Sequence, residues 1–387
     1  MSGLIRPERA ALACVVVLSA LAGVANYGEW APVPRFALAT FALAGLAWTV
    51  SLATEQLGER LGPGATGMLQ STLGNLPELF VVVFALKAGE LVVAQTAIIG
   101  SILANALLVL GLVIVVGAKR SPDGVMRFSK RLPRDTATLL LLAVFIIVLL
   151  GLSLAAHDPA SHHVKAISAV GAVCLLVVYV AWVVPYLRAD AAATGRVGDG
   201  KTSADLDIGR MLRNDSDRDP GAADRPGSAG PAAGPRLSLR VTLALLILAG
   251  AGSAFVSEWF VNALAPAISV LHVSQAFAGL VIVALAGNAV ENVAGIVLAY
   301  KRRYDLAISV VKNSVAQIAA FLFPVLVLIS FALPTQLTFA LAPVYIGALA
   351  LTALTVSQVT GDGEAAAFEG WALVALYVIL AALTLYE

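Results

Sequence analysis

Apolar residues run through this chain in long unbroken blocks, with short polar stretches between them. Thr138–Leu152 and Val241–Gly250 contain no charged side chain at all. A strand of a membrane barrel alternates apolar and polar positions over about ten residues. These blocks are continuous instead, and many approach the roughly 20 residues that a helix needs to cross a bilayer core. In lipid only helices and closed barrels satisfy their own backbone, so the pattern predicts helices. The blocks place them near 10–27, 33–53, 63–86, 91–117, 134–155, 165–187, 238–262, 271–299, 306–332, 336–356 and 368–385. The predicted fold is all-α and polytopic, with about eleven transmembrane helices and no water-soluble domain.

Composition strengthens that reading. Of the 387 residues 59% are hydrophobic and 13% are charged, about half the charged share of a soluble domain. The net charge of +1 argues against a nucleic-acid partner; the partner implied is the lipid bilayer. Cys14 and Cys174 lie in apolar runs with no CxxC spacing, so neither a disulfide framework nor a thiolate metal site is expected. The first span follows Arg6 and Arg9 and ends in small residues, as a secretory leader does. It is read as a retained anchor, because the rest of the chain never leaves the membrane.

Basic residues fix an expected orientation. Lys119, Arg120, Arg127, Lys130, Arg131 and Arg134 follow the fourth span, and Lys301, Arg302 and Arg303 follow the eighth. Strict alternation puts Arg6, Arg9 and Arg60 on the same side, against little beyond Lys87 and Lys165 on the other. The expectation is a bacterial-type inner membrane, with the N-terminus cytoplasmic and the C-terminus outside. Residues 189–236 are the one long polar stretch, too poor in apolar residues to bury a core, and read as a disordered cytoplasmic linker.

That linker separates similar halves. Gly74-Asn75-Leu76-Pro77-Glu78 recurs as Gly287-Asn288-Ala289-Val290-Glu291. Ser101 follows Asn75 by the same spacing at which Ser314 follows Asn288, and Thr54-Glu55 pairs with Ser257-Glu258 one span earlier. The chain therefore divides into an extra helix (1–30), a first five-helix repeat (31–188), the linker (189–236) and a second five-helix repeat (237–387). An odd helix count inverts one repeat relative to the other, and inverted repeats place a transport site where they meet, near the midplane.

Carboxylates within the bilayer are expensive and mark function. Asn75 with Glu78, and Asn288 with Glu291, are expected to share one helix face. Pro77 is expected to free carbonyl oxygens near Leu73. Glu78, Glu291, Asn75, Asn288, Ser101 and Ser314 then supply hard oxygen ligands without thiolates, which suit Ca²⁺, Mg²⁺ or Mn²⁺. One divalent ion or two protons neutralises two carboxylates, and the empty, doubly charged site is costly to carry across. Exchange of metal for protons is the mechanism this charge count predicts. The competing reading has the glutamates joining helices and transporting nothing.

Gly74–Phe80 with Gly100–Asn105, and Gly287–Asn292 with Ser314–Ala319, resemble the two signature repeats of the calcium/cation antiporter superfamily. The resemblance is stronger to its H⁺/Ca²⁺ exchanger (CAX-like) branch. It implies eleven helices, Ca²⁺ and H⁺ as substrates, no cofactor, no enzymatic activity, and a site on Glu78 and Glu291 lined by Asn75, Asn288, Ser101 and Ser314. It further implies that Asn105 and Gln317 support the ligands, and that Glu55 and Glu258 stand near the aqueous entrances. Self-association is compatible with it. Three departures are visible. Asn292 stands where H⁺-coupled members usually carry His, Asn313-Ser314-Val315 replaces a Gly-Ser-Ser, and Lys312 occupies an apolar position. Lys312 is expected to face away from the site and snorkel to water; the other reading is a tethered cation that modulates the site.

A Na⁺/Ca²⁺ exchanger is the alternative, which Leu76-Pro77-Glu78 favours and the absence of a further acid beside Ser101 and Ser314 disfavours. More remote are a passive cation channel and an intramembrane enzyme. Asp135, Asp158, Asp305 and Asp362 lie at span ends or in loops, and His157, His162 and His163 crowd one loop. Neither set fits intramembrane aspartyl or serine chemistry.

Overall fold

The computed structural model describes residues 4–61, 73–129, 131–198 and 236–387. Its helices are α1 (Arg6–Tyr27), α2 (Pro32–Leu61), α3 (Leu76–Ala88), α4 (Leu91–Arg120), α5 (Arg131–Ala156), α6 (Val164–Gly198) and α7 (Leu239–Leu271). There follow α8, in two limbs (Gln275–Gly287 and Ala289–Tyr300), then α9 (Tyr304–Ser330), α10 (Pro343–Thr360) and α11 (Ala367–Leu385). Nine helices among the described residues are long and apolar enough to cross a bilayer, and α8 makes a tenth if its limbs count as one span. Residues 63–72 of the expected third span, 63–86, lie outside the described residues, and Leu76–Ala88 alone is too short to count, so the described residues bear on ten of the predicted eleven crossings. The chain is a mostly helical, multi-pass membrane protein.

Local chemistry sets several helix ends. Pro7 sits in the first turn of α1, where Glu8 accepts the Ile5 N–H. Ser238 caps α7 by accepting the Val241 N–H, and α7 stops at His272, whose φ is 54°. Gly89, at φ 85°, closes α3 in a left-handed turn that glycine adopts without a Cβ penalty. Two boundaries differ from expectation. The sixth helix runs to Gly198, so residues 189–198, expected in the linker, are helical; the rest of that linker, 199–235, lies outside the described residues. The tenth helix starts at Pro343, not at 336. Residues 333–342 form an irregular turn instead, in which Ser330 Oγ and Ser168 Oγ take the N–H groups of Leu337 and Phe339.

Loop contacts fall at two ends of the bundle. At one end, Gln56 accepts the N–H groups of Arg236 and Leu237, at 2.9 and 3.1 Å, and Arg236 pairs with Glu8. There too Asp305 accepts the Ser129 N–H, and the two-stranded antiparallel sheet of β1 (Val125–Arg127) and β2 (Glu364–Ala366) joins the α4–α5 and α10–α11 connections. At the other end, Gln275 donates to Glu90 at 2.9 Å, Gln95 to the Ala340 carbonyl at 3.1 Å, and Tyr345 to Glu387. Each contact joins connections of like parity, as a chain that crosses at every helix requires.

The main core is a large apolar cluster that runs through α4, the most buried of the spanning helices, with 89% of its apolar stretch buried. Lipid-exposed faces belong to α1, α7 and α11, each 22% buried by the same measure. Helices approach closely where glycine permits. A Cβ on Gly100 would lie 2.4 Å from the Leu280 carbonyl oxygen, which brings α4 and α8 into backbone contact.

Candidate functional site

Both signature motifs break their helix at asparagine. Asn75 (φ −86°, ψ 9°) precedes α3, and Asn288 (φ −100°, ψ 11°) separates the limbs of α8, which meet at 61°. Pro77 cannot be the common cause, since the second motif has no proline. Asparagine side chains compete for backbone groups, and here the Asn288 amide donates to the Ala284 carbonyl at 3.0 Å, capping the limb that ends there. The next helix starts from the asparagine carbonyl: Leu79 N–H donates to Asn75 and Asn292 N–H to Asn288, each at 3.0 Å. The expectation of a shared helix face is therefore corrected. Asn75 and Asn288 are hinge residues, while Glu78 and Glu291 stand in the first turn of the helices that follow. Unpaired N–H groups at a helix start favour negative charge there.

Glu78 is buried, and its Oε1 accepts the Ser101 hydroxyl and the Asn288 amide, the latter at 2.5 Å. Asn288 also donates to Ser101 Oγ at 3.0 Å. These three residues come from α3, α4 and the α8 hinge, so the group crosses from one half of the chain to the other. Glu291, partly buried, accepts the Ser314 hydroxyl of α9 at 2.5 Å. Each glutamate also lies against the other motif's glycine. A Cβ at Gly287 would meet Glu78 Cγ at 2.7 Å, and one at Gly74 would meet Glu291 Oε1 at 3.2 Å. Asn75 is buried at the first hinge. All six predicted ligands thus belong to the hinges and the serines facing them.

Glu78 Oε2 and Asn288 Oδ1 are buried with no hydrogen-bond donor. Bare buried acceptors are costly, and oxygens of this kind are what a hard cation requires. Among the described residues no three His, Cys, Asp or Glu converge, so the chemistry available is two carboxylates with neutral oxygens.

The supporting residues divide. Asn105, fully buried, donates to the Ser101 carbonyl at 3.0 Å and so positions that residue, while its own Oδ1 lacks a donor. Gln317 is buried one turn beyond Ser314. Asn292 is partly buried, with its Oδ1 likewise unsatisfied. Glu55 is exposed, whereas its neighbour Thr54 is buried and bonds the Val50 carbonyl. Glu258 lines a pocket of about 180 Å³ with Lys87 and Asn262.

Lys312 corrects a second expectation. It does not snorkel: the residue is 4% exposed, and its ammonium donates to Thr360 Oγ1, at the end of α10, at 2.5 Å. It lines a cavity of about 20 Å³ with Thr136 and Val315. The α10 hydroxyl meets it inside the bundle, in keeping with the cost of turning an ammonium toward hydrocarbon. The matching position before Ser101 is the fully buried Ile99.

Sequence reasoning missed the π-helical turns. They occupy Ala104–Val109 and Ile318–Leu322, just past each serine, and Ala278–Val283 before the second hinge. Such turns recur at functional sites. They have no side-chain signature, although Gly279, whose Cβ would lie 2.0 Å from Thr96 Oγ1, marks the third.

The Ca(2+)/H(+) antiporter of Aphanothece halophytica is 28% identical over 355 residues, covering 91% of this chain and 90% of its own. Native YfkE superposes with a TM-score of 0.75 at 25% identity, over 97% of this chain and all of its own. The sodium-calcium exchanger NCX_Mj has the same fold at a TM-score of 0.51 and 18% identity, over 90% of this chain and 95% of its own. The sodium/calcium exchanger protein family matches residues 33–186 and 241–386. With both halves of its helical bundle matched, this multi-pass membrane chain belongs to the sodium/calcium exchanger family of transporters.

Proposed function

We propose that this protein is a secondary-active antiporter that exchanges Ca²⁺, or a similar divalent cation such as Mn²⁺ or Mg²⁺, for protons by alternating access. The observation that carries the reading is the reciprocal packing of Glu78 against Gly287 and of Glu291 against Gly74. Two carboxylates from matching hinges each pack against the opposite motif, with Ser101, Ser314, Asn75 and Asn288 as neutral oxygen partners.

The proposed architecture is eleven crossings: an extra helix in 1–30 and inverted five-helix repeats in 31–188 and 237–387. Loop contacts of like parity support it, since Gln56 and Glu90 take partners at opposite ends of the bundle and the chain must cross between them. The basic loops after α4 and α8 support a cytoplasmic N-terminus in a bacterial-type plasma membrane.

Charge supplies the coupling. Two ionised carboxylates are costly to carry across a low-dielectric barrier. A divalent ion neutralises both, and so do two protons, so the carrier reorients when loaded with either. Two carboxylates that share one site release their protons in coupled steps. Relatives named as Ca²⁺/H⁺ antiporters support proton coupling.

Sodium coupling is the second reading, favoured by the shared fold with NCX_Mj. Purified protein in proteoliposomes distinguishes them by ⁴⁵Ca²⁺ uptake under an imposed pH gradient or an imposed Na⁺ gradient. The proposal expects uptake with the pH gradient alone. Glu291→Gln should abolish exchange in a protein that still purifies as a single species, and normal flux in that variant would remove the site.

A further inference from the structure

A pocket of about 180 Å³ opens between the last turn of α3 and the second half of α7, lined by Phe84, Lys87, Ala88, Glu258, Val261 and Asn262. It holds opposite charges that do not meet. Among the described residues no ion pair or hydrogen bond joins Lys87 to Glu258, and the Lys87 ammonium stands over the Phe84 ring instead, 5.8 Å from its centroid. Asn262 adds two acceptors. Its side chain follows Glu258 by one turn on the same face of α7. Pro266, inside that helix, has no N–H to give the Asn262 carbonyl one turn before it. A lone divalent ion fits this pocket badly, because the ammonium beside the carboxylate repels it. A ligand that carries both charges fits both walls.

The pocket stands where lipid headgroups lie. Trp259, next to Glu258, meets Tyr27 edge-on at 5.8 Å, and Tyr27 ends α1 with its side chain exposed. Trp and Tyr gather at the membrane–water interface. The turn after α3 begins at Gly89, two residues past Lys87. From Glu258 toward the start of α7, Phe255, Ala251 and Ile247 continue the same face, and all three are exposed, Phe255 at 60% and Ile247 at 68%. That strip descends roughly 16 Å, about half of a hydrocarbon core of roughly 30 Å and so the depth of one leaflet.

We propose that this pocket seats the headgroup of a phospholipid bearing a primary ammonium, as in phosphatidylethanolamine. The ammonium donates to the Glu258 carboxylate and the Asn262 oxygens, the phosphate pairs with Lys87, and the acyl chains lie along Phe255, Ala251 and Ile247. Charge-assisted hydrogen bonds of this kind are the strong ones. The quaternary ammonium of phosphatidylcholine has no N–H to give, and phosphatidylglycerol brings the phosphate without a cation for Glu258. The seated lipid ties the end of α3, which carries Glu78 in its first turn, to α7. The seat is independent of which ion is transported.

Native mass spectrometry of full-length protein, released from vesicles of equimolar phosphatidylethanolamine, phosphatidylcholine and phosphatidylglycerol, reads the preference. Wild type should retain phosphatidylethanolamine over each of the others by roughly tenfold, the scale of one hydrogen bond to a charged group. In monodisperse Glu258→Gln the preference should fall within about twofold. Lys87→Gln should lower the phosphatidylethanolamine retained by about tenfold. Ala88→Trp, or Asn262→Trp if the first folds poorly, fills the pocket and should lose the preference. Excess soluble glycerophosphoethanolamine should leave the lipid in place, because it lacks the chains. Equal retention of the three lipids by wild type, or an unchanged preference in Glu258→Gln, overturns the headgroup assignment. Full retention in Lys87→Gln removes the phosphate's partner, and an unchanged preference in the filled pocket overturns its location. Displacement by the soluble headgroup overturns the lipid as occupant.

Discussion

Gly287→Ala puts the cross-motif packing to a quantitative test. Its added methyl would stand 2.7 Å from Glu78 Cγ and 3.3 Å from Cδ, where unstrained carbon contacts lie at about 3.5–4.0 Å. The carboxylate must therefore retreat by about 1 Å. It has little room, because the cavity beside it, lined by Leu43, Val81 and Phe260, measures about 10 Å³, no more than about one water-sized probe sphere. Retreat breaks the bonds from Ser101 and Asn288, and a hydrogen bond to a charged group contributes about 1.5–3 kcal/mol. A displacement of that size costs about a hundredfold in a positioned site. The expected loss in apparent Ca²⁺ affinity is ten- to a hundredfold, about 1.4–2.8 kcal/mol. The fold itself should hold, since Gly287 is helical with no positive φ and alanine is the better helix former by about 1 kcal/mol. Gly74→Ala is the matched control. Among the described residues its methyl meets a single mobile oxygen, Glu291 Oε1, at 3.2 Å, so a few tenths of an ångström relieve it and the loss should stay within about threefold, under 1 kcal/mol. The assay is pH-driven ⁴⁵Ca²⁺ uptake in proteoliposomes across a Ca²⁺ series, with monodispersity checked beforehand. Wild-type affinity in Gly287→Ala, or a larger loss in Gly74→Ala than in Gly287→Ala, refutes the reasoning.

Asn288→Ala removes the donor shared by Glu78, Ser101 and the Ala284 carbonyl; apparent Ca²⁺ affinity should fall about tenfold, given 1.5–3 kcal/mol for a bond to a charged partner, and an unchanged Ca²⁺ titration would show that the amide is idle. Thr360→Val takes a hydroxyl from the buried Lys312 ammonium and should lower stability by about 1.5–3 kcal/mol, read as a fall in the thermal midpoint of the detergent-solubilised protein; an unmoved midpoint counts against that bond. Outside the membrane, the Arg127 guanidinium beside Asp123 holds its carboxyl down at about 2, below the usual value of about 3.9. The sign follows from linkage: the pair's contribution is complete above the unfolded value and is lost as pH falls through about 2. Carboxyl-selective NMR should place the Asp123 midpoint near 2, and Arg127→Gln should return it toward the ordinary value.

The bundle was legible because its determinant is one-dimensional. An apolar block long enough to span leaves the backbone no other way to bond itself in lipid, and the observed helices fall on the predicted blocks. The errors came where ends are decided by single contacts. No residue in Thr335–Ala340 refuses a helix outright, yet Ser168 and Ser330 hold the Leu337–Phe339 backbone in a turn from elsewhere in the chain. The site residues were legible for a related reason. Carboxylates and amides in an apolar run are expensive, so their recurrence at matched spacing marked them before any coordinates did. Their geometry was not legible, because two residues three apart read as one helix face until the hinge at the asparagine is seen. The Asn288 side chain that caps Ala284 creates that hinge, and the proline singled out from sequence is present in only one of the two.

Lys312 shows the same limit from the other side. Its distance from the helix end permitted an escape to water, and only the position of α10 removes that route, by bringing Thr360 to the ammonium. The sequence is nearly symmetric at the hinges, yet the bonds seen among the described residues are not. There Glu78 takes donors from both halves of the chain, Ser101 from its own and Asn288 from the other, whereas Ser314 of its own half donates to Glu291. A strictly two-fold arrangement would give each glutamate the same partners. Under the proposed alternating mechanism that symmetry belongs to no single state. Inverted repeats hold different conformations whenever one side is open, and they exchange them when the other side opens. Unequal clasping of two equivalent acids is then what a carrier resting toward one side requires, and the near-identity of the motifs is what allows the roles to reverse.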